Sequence, residues 1–264
     1  GAYYLTIIRR EEGKYYRWSG DRYYECNEGD EGAEKYIPGA YISEDEVMMA
    51  YQTKYVHMQD EVYVRRTVTI DDKNSPYCGQ TVQGTVKTTV GRIIFNNEMP
   101  QDLGFVKREK PEDYLKYEIS YEFLTGAVAV GKKHLGTIVD RSFKTGGAPK
   151  AAEVLDKIKS LGYKYSTVGA ITTSVFDMHI PAAKKAIVAE TEKKVSQIER
   201  KFQRGLLREE ERYNAVIKAW DDATDAVTEE LKKSLDKFNH IWMMANSGAR
   251  GSIAQMKQLS GMRG

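Results

Sequence analysis

The sequence predicts an α+β fold: a strand-rich N-terminal half followed by helices that include a long antiparallel hairpin. Three observations carry this. Two runs in the first half, EVYVRRTVTI (61–70) and TVQGTVKTTVG (81–91), alternate apolar and polar residues. From about residue 128 the apolar spacing changes to the helical period. Finally, Tyr213, Val216, Trp220, Thr224, Val227, Leu231, Leu235 and Phe238 follow one another at steps of three and four, one narrow seam on a charged helix.

Taken in order, YYLTIIR (3–9) reads as a strand from its aromatic and β-branched content. Residues 11–36 are acidic and rich in tyrosine and glycine, and read as a surface excursion, an acidic insertion. Ser43 and Glu46 make a capping-box pattern ahead of VMMAYQ, so a short helix starts near residue 44. In 61–70, Val62, Val64, Val68 and Ile70 share one face and Tyr63, Arg65, Thr67 and Thr69 the other. The loop DDKNSPYCGQ turns the chain, and Val82, Val86 and Val90 line one face of the second run, which predicts an antiparallel pair. Ala129–Phe143 is the first predicted helix. Val154, Leu155, Ile158, Leu161, Tyr165 and Val168 fit one face of a second, with Gly162 inside it. Pro181 opens a long helical stretch with Ile187, Val195, Ile198 and Phe202 at helical spacing. Gly205 suits a left-handed cap, and a return helix over 208–237 would be roughly 45 Å long. The domains read as 1–127, strand-rich; 128–180, helical; 181–238, an antiparallel coiled-coil hairpin; and 239–264, a Gly/Arg-rich segment.

The chain's 264 residues, 41% hydrophobic and 30% charged, suit one large folded domain or two small ones. A net charge of +2 is too small to predict nucleic-acid binding from bulk charge. Neither a membrane-spanning run nor a signal peptide is present, and Cys26 and Cys78 form no CxxC or zinc pattern, so two reduced thiols in a cytoplasmic protein are expected. The chain begins without methionine and stops within a Gly/Arg stretch, as an excised piece of a longer polypeptide would.

Catalytic patterns are mostly absent. There is no GxxxxGKS loop, GxSxG elbow or HExxH helix, and His57, His134, His179 and His240 are scattered. Asp221, Asp222 and Asp225 have the residue types to hold a divalent ion but read as a solvated face. At the hairpin tip, Leu206 and Leu207 stand beside Glu209, Glu210, Glu211 and Arg212: either a docking surface or a solvated helix end whose leucines pack on Tyr213. The terminus carries no acid after Asp236, but keeps Lys237, Arg250, Lys257 and Arg263. Glycines around Arg250 let the backbone approach a partner, Arg250 offers a fork that matches phosphate oxygens, and Ser252 can cap a helix bearing Gln255 and Gln258 on one side. A phosphate-type anion site and a plain helix cap with a flexible end both fit this pattern.

Several segments closely resemble the bacterial DNA-directed RNA polymerase β′ subunit family. They are FNHIWMMANSGARGSIAQMKQLSGMRG, GLLREEERYNAVIKAWDDATDAVTEEL, LDKIKSLGYKY, KTTVGRIIFNNEMP and GAYYLT, in the family's order and spread over nearly the whole chain. The match is strong from about residue 85 and weaker over 11–60 and 101–126. The resemblance implies the pore and funnel of the secondary channel, a rim hairpin on which Gre-type transcript-cleavage factors dock, and a loop beside the incoming nucleotide. It assigns docking to Leu206, Leu207, Glu210, Glu211 and Asn214, with Lys218 standing where relatives carry an acid. It places Arg250 near the nucleotide triphosphate, with Ser247, Gly248, Gly251, Ser252, Gln255, Gln258 and Arg263 as the supporting loop. Expected partners are the β, α, ω and sigma subunits, Gre-type factors, and DNA, RNA and nucleotides in the full enzyme. The family's NADFDGD motif does not occur here, so no catalytic or metal-binding residue is expected; the Mg2+ and Zn2+ sites would lie in other parts of the parent subunit, and this piece alone would be inactive. The expected location is the cytoplasm, at the nucleoid. The competing readings are a free-standing adaptor that docks through its hairpin and a small nucleotide-binding enzyme built on the Arg250 loop.

Overall fold

The computed structural model describes the chain apart from residues 21, 72–74, 125–128 and 264 and the side chains of 121 and 122. The expected boundary at 127/128 and part of the 71–80 loop lie outside the described residues. Two units form, Gly1–Ala170 and Ile171–Gly264. The α+β class holds, with small sheets in the N-terminal half and long helices after them.

The N-terminal unit begins with a correction. Residues 3–9 are not a strand: α1 spans Ala2–Thr6. Leu5 N–H bonds to the Gly1 carbonyl at 2.9 Å, and the Thr6 hydroxyl bonds back to the Ala2 carbonyl at 2.8 Å. The apolar side chains that suggested a sheet serve burial instead. Leu5 and Ile7 are fully enclosed, and the Leu5 carbonyl lies so close to Gly91 that a Cβ there would sit 1.8 Å from the oxygen. Helical hydrogen bonding satisfies this segment's backbone locally, where a strand would have needed a sheet edge to pair with. Only Arg10 makes a strand-like bridge, to Asp60.

Within 11–36, β1 (Tyr15–Trp18), β2 (Tyr23–Cys26) and β3 (Glu34–Lys35) form an antiparallel sheet in the order β2-β1-β3. Much of it is exposed, as a surface excursion should be, but it is anchored. Tyr16 is 3% exposed, and the Tyr36 hydroxyl donates to the Glu61 carbonyl at 2.8 Å.

The second sheet contains β4 (Ala40–Tyr41), β5 (Glu61–Thr69) and β6 (Thr81–Thr89), in that order. The β5–β6 pair is antiparallel, with Val64 opposite Val86 and Val68 opposite Val82. Val62, Val64 and Ile70 are buried, while Arg65, Thr67 and Thr69 are exposed, so the alternation predicted the buried face correctly. Helix α2 (Glu44–Gln52) starts at Ser43, whose hydroxyl accepts from Glu46 N–H at 3.2 Å; the Glu46 carboxylate reaches back to Ile42 N–H at 2.6 Å. Helix α3 (Val90–Glu98) follows β6 directly, capped by Thr89.

After a short helix α4 (Tyr121–Leu124), α5 runs over Lys132–Val168 and is broken at Gly147, where φ is 69°. The helix expected from Ala129 therefore starts three residues later, where the Gly131 N–H meets the His134 ring at 3.2 Å. Val154, Leu161 and Tyr165 are buried as predicted, but Leu155 and Val168 are 50% and 53% exposed. Leu155 lies one position off the buried stripe, about 100° around the helix, and Val168 is the last residue of the helix. The core joins α1, α3 and α5 through Leu5, Phe95, Ile138 and Val154, and a second cluster under β5 holds Val47, Val62, Val64 and Ile93.

The C-terminal unit contains α6 (Lys184–Gln203), α7 (Glu209–Ser234), α8 (His240–Ser247) and α9 (Ile253–Ser260). Pro181 does not open α6; it is buried ahead of the helix, and its carbonyl accepts from Lys184 N–H at 3.1 Å. Helices α6 and α7 pack as the predicted hairpin, turned at Gly205 with φ 73°. Helix α7 has 26 residues, roughly 39 Å. It ends at Ser234, so Leu235 and Phe238 continue the seam beyond the helix. Burial along the seam is graded: Tyr213 is 60% exposed, Val216 and Trp220 are half-buried, and Val227 and Leu231 are enclosed. Spacing sets which face turns inward; how deeply it is covered depends on what packs there. Two helices cover each other only on one side, and α9 adds cover toward the base of α7.

Candidate functional site

The C-terminal unit carries both predicted sites. At the tip, Gly205 reverses the chain and Arg208 caps α7. Glu211 closes that cap: its carboxylate accepts the Arg208 N–H at 2.9 Å. Glu209 pairs with Arg212, and that hydrogen bond holds the Glu209 carboxyl below its ordinary value. The Arg212 guanidinium also lies 5.2 Å from the Phe202 ring centroid, linking α6 to α7. Three acids in the first turn of α7 suit its positive end. Leu206 remains 69% exposed, Leu207 is partly covered, and Glu210 and Asn214 are exposed. The structure thus separates the five predicted docking residues: Glu211 is engaged in the fold, whereas Leu206, Glu210 and Asn214 face outward. Leu206 and Tyr213 are both largely exposed, while Leu207 is the partly covered one of the two leucines.

At the other end of the unit, Asn239 caps α8 by accepting from Ile241 and Trp242 N–H at 3.0 and 3.2 Å. Gly248 ends α8 in the left-handed region. The Ser247 hydroxyl donates to the Met244 carbonyl at 3.0 Å, and Ser252 caps α9 by accepting from Gln255 N–H at 3.2 Å, as its position predicted. Arg250 is exposed on the turn between the helices. It lines a cavity of about 460 Å³ with Gly251, Ser252 and Gln255. Ser247 and Gly248 shape the turn leading to this cavity; Gln258 and Arg263 are exposed and do not line it.

The cavity's other walls were not foreseen. Val175, Met178, Ile241, Met244, Met256 and Leu259 make it largely apolar, so a guanidinium sits at the rim of a greasy groove rather than inside a polar cradle. The 171–178 segment joins through two contacts: Asn239 Nδ2 donates to the Asp177 carbonyl at 2.8 Å, and the His240 ring meets the Thr172 carbonyl at 3.0 Å. One local signal existed, the Ser174/Asp177 capping pattern, which marks a structured turn but not its partner. No acidic residue lines the cavity among the described residues, so an anion at Arg250 meets no repulsion there. Lys257 lies 3.9 Å from Asp225, fastening α9 to α7. Asp221, Asp222 and Asp225 are exposed, and no group of three metal-ligating side chains converges among the described residues. Cys26 and Cys78 are free thiols. No helix among the described residues is long and apolar enough to cross a membrane.

Family models described as RNA polymerase Rpb1, domain 3, and RNA polymerase Rpb1, domain 4, match residues 1–178 and 207–264. The chain is 46% identical over 264 residues to the DNA-directed RNA polymerase subunit beta' of Caldicellulosiruptor saccharolyticus, covering 100% of this chain and 20% of that protein. It is 48% identical over 234 residues to the subunit of Thermoanaerobacter pseudethanolicus, covering 88% of this chain and 19% of that one. The Clostridium kluyveri subunit is 42% identical over 264 residues, 100% of this chain and 19% of that one. The chain thus spans about a fifth of the length of the curated relatives it matches.

Proposed function

The chain belongs to the RNA polymerase β′ subunit family, and on that premise we propose that it forms the wall and rim of the secondary channel that admits nucleotides to the catalytic centre. In this reading 1–127 is the pore-like region, 128–180 the funnel, 181–238 the rim hairpin and 239–264 the substrate-side loop. The hairpin tip receives Gre-type cleavage and elongation factors. Its exposed Leu206 supplies apolar contact, and Glu210 and Asn214 supply polar register. Glu211 acts indirectly, by holding the turn that presents them. Arg250 approaches the nucleotide phosphates from an acid-free turn, as a planar donor fork. Other polymerase subunits, DNA and RNA engage the complete enzyme in the cytoplasm, at the nucleoid.

The piece itself is non-catalytic. Two-metal phosphoryl transfer needs converging carboxylates, which the parent subunit supplies from other regions along with its Mg2+ and Zn2+ sites. The observation that carries the proposal is the build of the C-terminal unit. One hairpin bears an exposed apolar and charged tip, and α9, with the Arg250 turn before it, is fastened to the same helix at Asp225, roughly 24 Å along the axis from its start. A single element can therefore serve both a bound factor and the nucleotide path.

The test uses the assembled polymerase carrying Leu206→Ser with Glu210→Lys, a pair that leaves the Glu211 cap intact. Affinity for a Gre-type factor should fall at least about tenfold, the loss of roughly 1.4 kcal/mol. Undiminished affinity would refute the tip assignment.

A further inference from the structure

The 11–36 sheet has a feature that the channel reading leaves unused. The β1–β2 hairpin carries Trp18 and Tyr23 as facing register partners, with ring centroids 4.8 Å apart. Tyr23 in turn meets the His57 ring edge-on at 5.9 Å. Beneath it, the Arg10 guanidinium lies between Tyr23 and Tyr36, 4.2 and 4.5 Å from their centroids. Arg10 grips Asp60 with two hydrogen bonds of 2.9 and 2.5 Å, and Asp60 also accepts the His57 N–H at 3.0 Å. Asp60 is fully buried, so this knot fixes the sheet against residues 57–60. The insertion is therefore docked against the body of the unit, and its docking closes a cavity.

That cavity has a volume of about 300 Å³. Trp18 and Tyr23 form an aromatic wall. Tyr4, Tyr51 and Met58 line it from the body of the unit, with Arg9 and Arg22 among the remaining lining residues. Arg9 is oriented by the Gln59 side chain at 3.2 Å, which is itself held by the Tyr4 carbonyl at 2.9 Å. Arg22 lies over the Tyr24 ring at 5.5 Å. Trp18 is 50% exposed, so part of the indole surface is open to solvent.

We propose that this pocket binds a nucleotide, its base stacking on Trp18 and its phosphate held by Arg9 and Arg22. The chemistry is complementary on three counts. A flat π-face is what a nucleobase stacks on, whichever base it is. Planar guanidiniums match phosphate oxygens in two-point contact. The volume lies at the small end of ligand cavities, which suits one nucleotide rather than a strand. Burial pushes the His57 ring below its ordinary pKa, so near neutrality it is uncharged, with one donor and one acceptor for a base edge. This site lies in the N-terminal unit and uses none of the Arg250 residues.

The chain has 3 tryptophans, so Trp220→Phe with Trp242→Phe leaves Trp18 as the sole reporter. Titration with adenosine and guanosine 5′-monophosphates should quench its fluorescence saturably. Arg22→Ala should weaken binding about tenfold, as should replacing the nucleotide by adenosine. Arg9→Lys, which keeps the charge and removes the fork, should also weaken it, with an unaltered circular-dichroism spectrum showing that the fold persists. Absence of saturable quenching or equal affinity in Arg22→Ala would each overturn the assignment. Quenching by a single-stranded oligonucleotide but not by mononucleotides would overturn it in favour of a strand-binding surface.

Discussion

Replacing Gly91 by alanine tests the packing on which the N-terminal unit rests. Gly91 opens α3 where the chain of α1 crosses it, and its N–H donates to the Met58 carbonyl at 2.8 Å. An added Cβ would stand 1.8 Å from the Leu5 carbonyl oxygen and 2.9 Å from its carbon, against a floor of 3.0 Å for real contacts. Both are backbone atoms, so no side chain can swing aside; α1 and α3 must separate by about 1.2 Å. That separation strains the bonds that tie α1 down. Arg92 Nε donates to the Thr6 carbonyl at 3.1 Å, and Val130 N–H donates to the Thr6 hydroxyl at 2.8 Å. Two buried hydrogen bonds at about 1 kcal/mol each, plus loosened packing around the fully enclosed Leu5, give roughly 3–5 kcal/mol of destabilisation. Alanine's better helix propensity returns at most about 1 kcal/mol. Urea unfolding followed by Trp18 fluorescence, in the Trp220→Phe, Trp242→Phe background, reports the N-terminal unit separately. A loss below about 1 kcal/mol would mean that α1 does not cross α3 as described, and would reopen the strand assignment for residues 3–9.

Other expectations concern the hairpin, the Arg250 turn and pH. Leu231→Ala should cost about 2–4 kcal/mol and Tyr213→Ala less than about 1, because the seam is enclosed at Leu231 and open at Tyr213; equal losses by calorimetry would refute the graded burial. In the complete polymerase, Arg250→Ala should raise the apparent nucleotide KM or slow elongation several-fold, and unchanged kinetics at limiting nucleotide would remove it from the substrate path. Burial pushes the Tyr16 phenol from its ordinary 10.0 up to about 12, so the unfolded chain ionises first as pH rises. The stabilisation is whole below pH 10 and is lost through pH 12, at most about 2.7 kcal/mol. Tyr16→Phe should lose roughly 1 kcal/mol at neutral pH with the Glu11 N–H bond, and should show a shallower alkaline limb in denaturant titrations.

What the sequence alone determined about this protein is local or periodic. The β5–β6 faces, the Ser43 and Ser252 caps, the Gly205 turn and the seam of α7 each follow from spacing within one element, or from one side chain meeting backbone three residues away. The family, too, was legible, because motif strings survive in order along the chain. The tertiary structure decided the rest. Residues 3–9 have the composition of a strand, yet helix won because Gly91 lets the Leu5 carbonyl come within a distance that any side chain would forbid. Leu155 and Val168 have the right residue type, but the N-terminal unit covers only about half of each. Arg250 was found by its glycine neighbours, while the apolar groove it borders needed Val175 and Met178 to arrive from far along the chain. The same holds for Trp18, Arg22 and Arg9, scattered in sequence and gathered only when Arg10 closes on Asp60. Periodicity and capping are short-range and can be read from a string of residues. Burial and cavity shape arise where distant segments meet, and those meetings are a property of the folded chain.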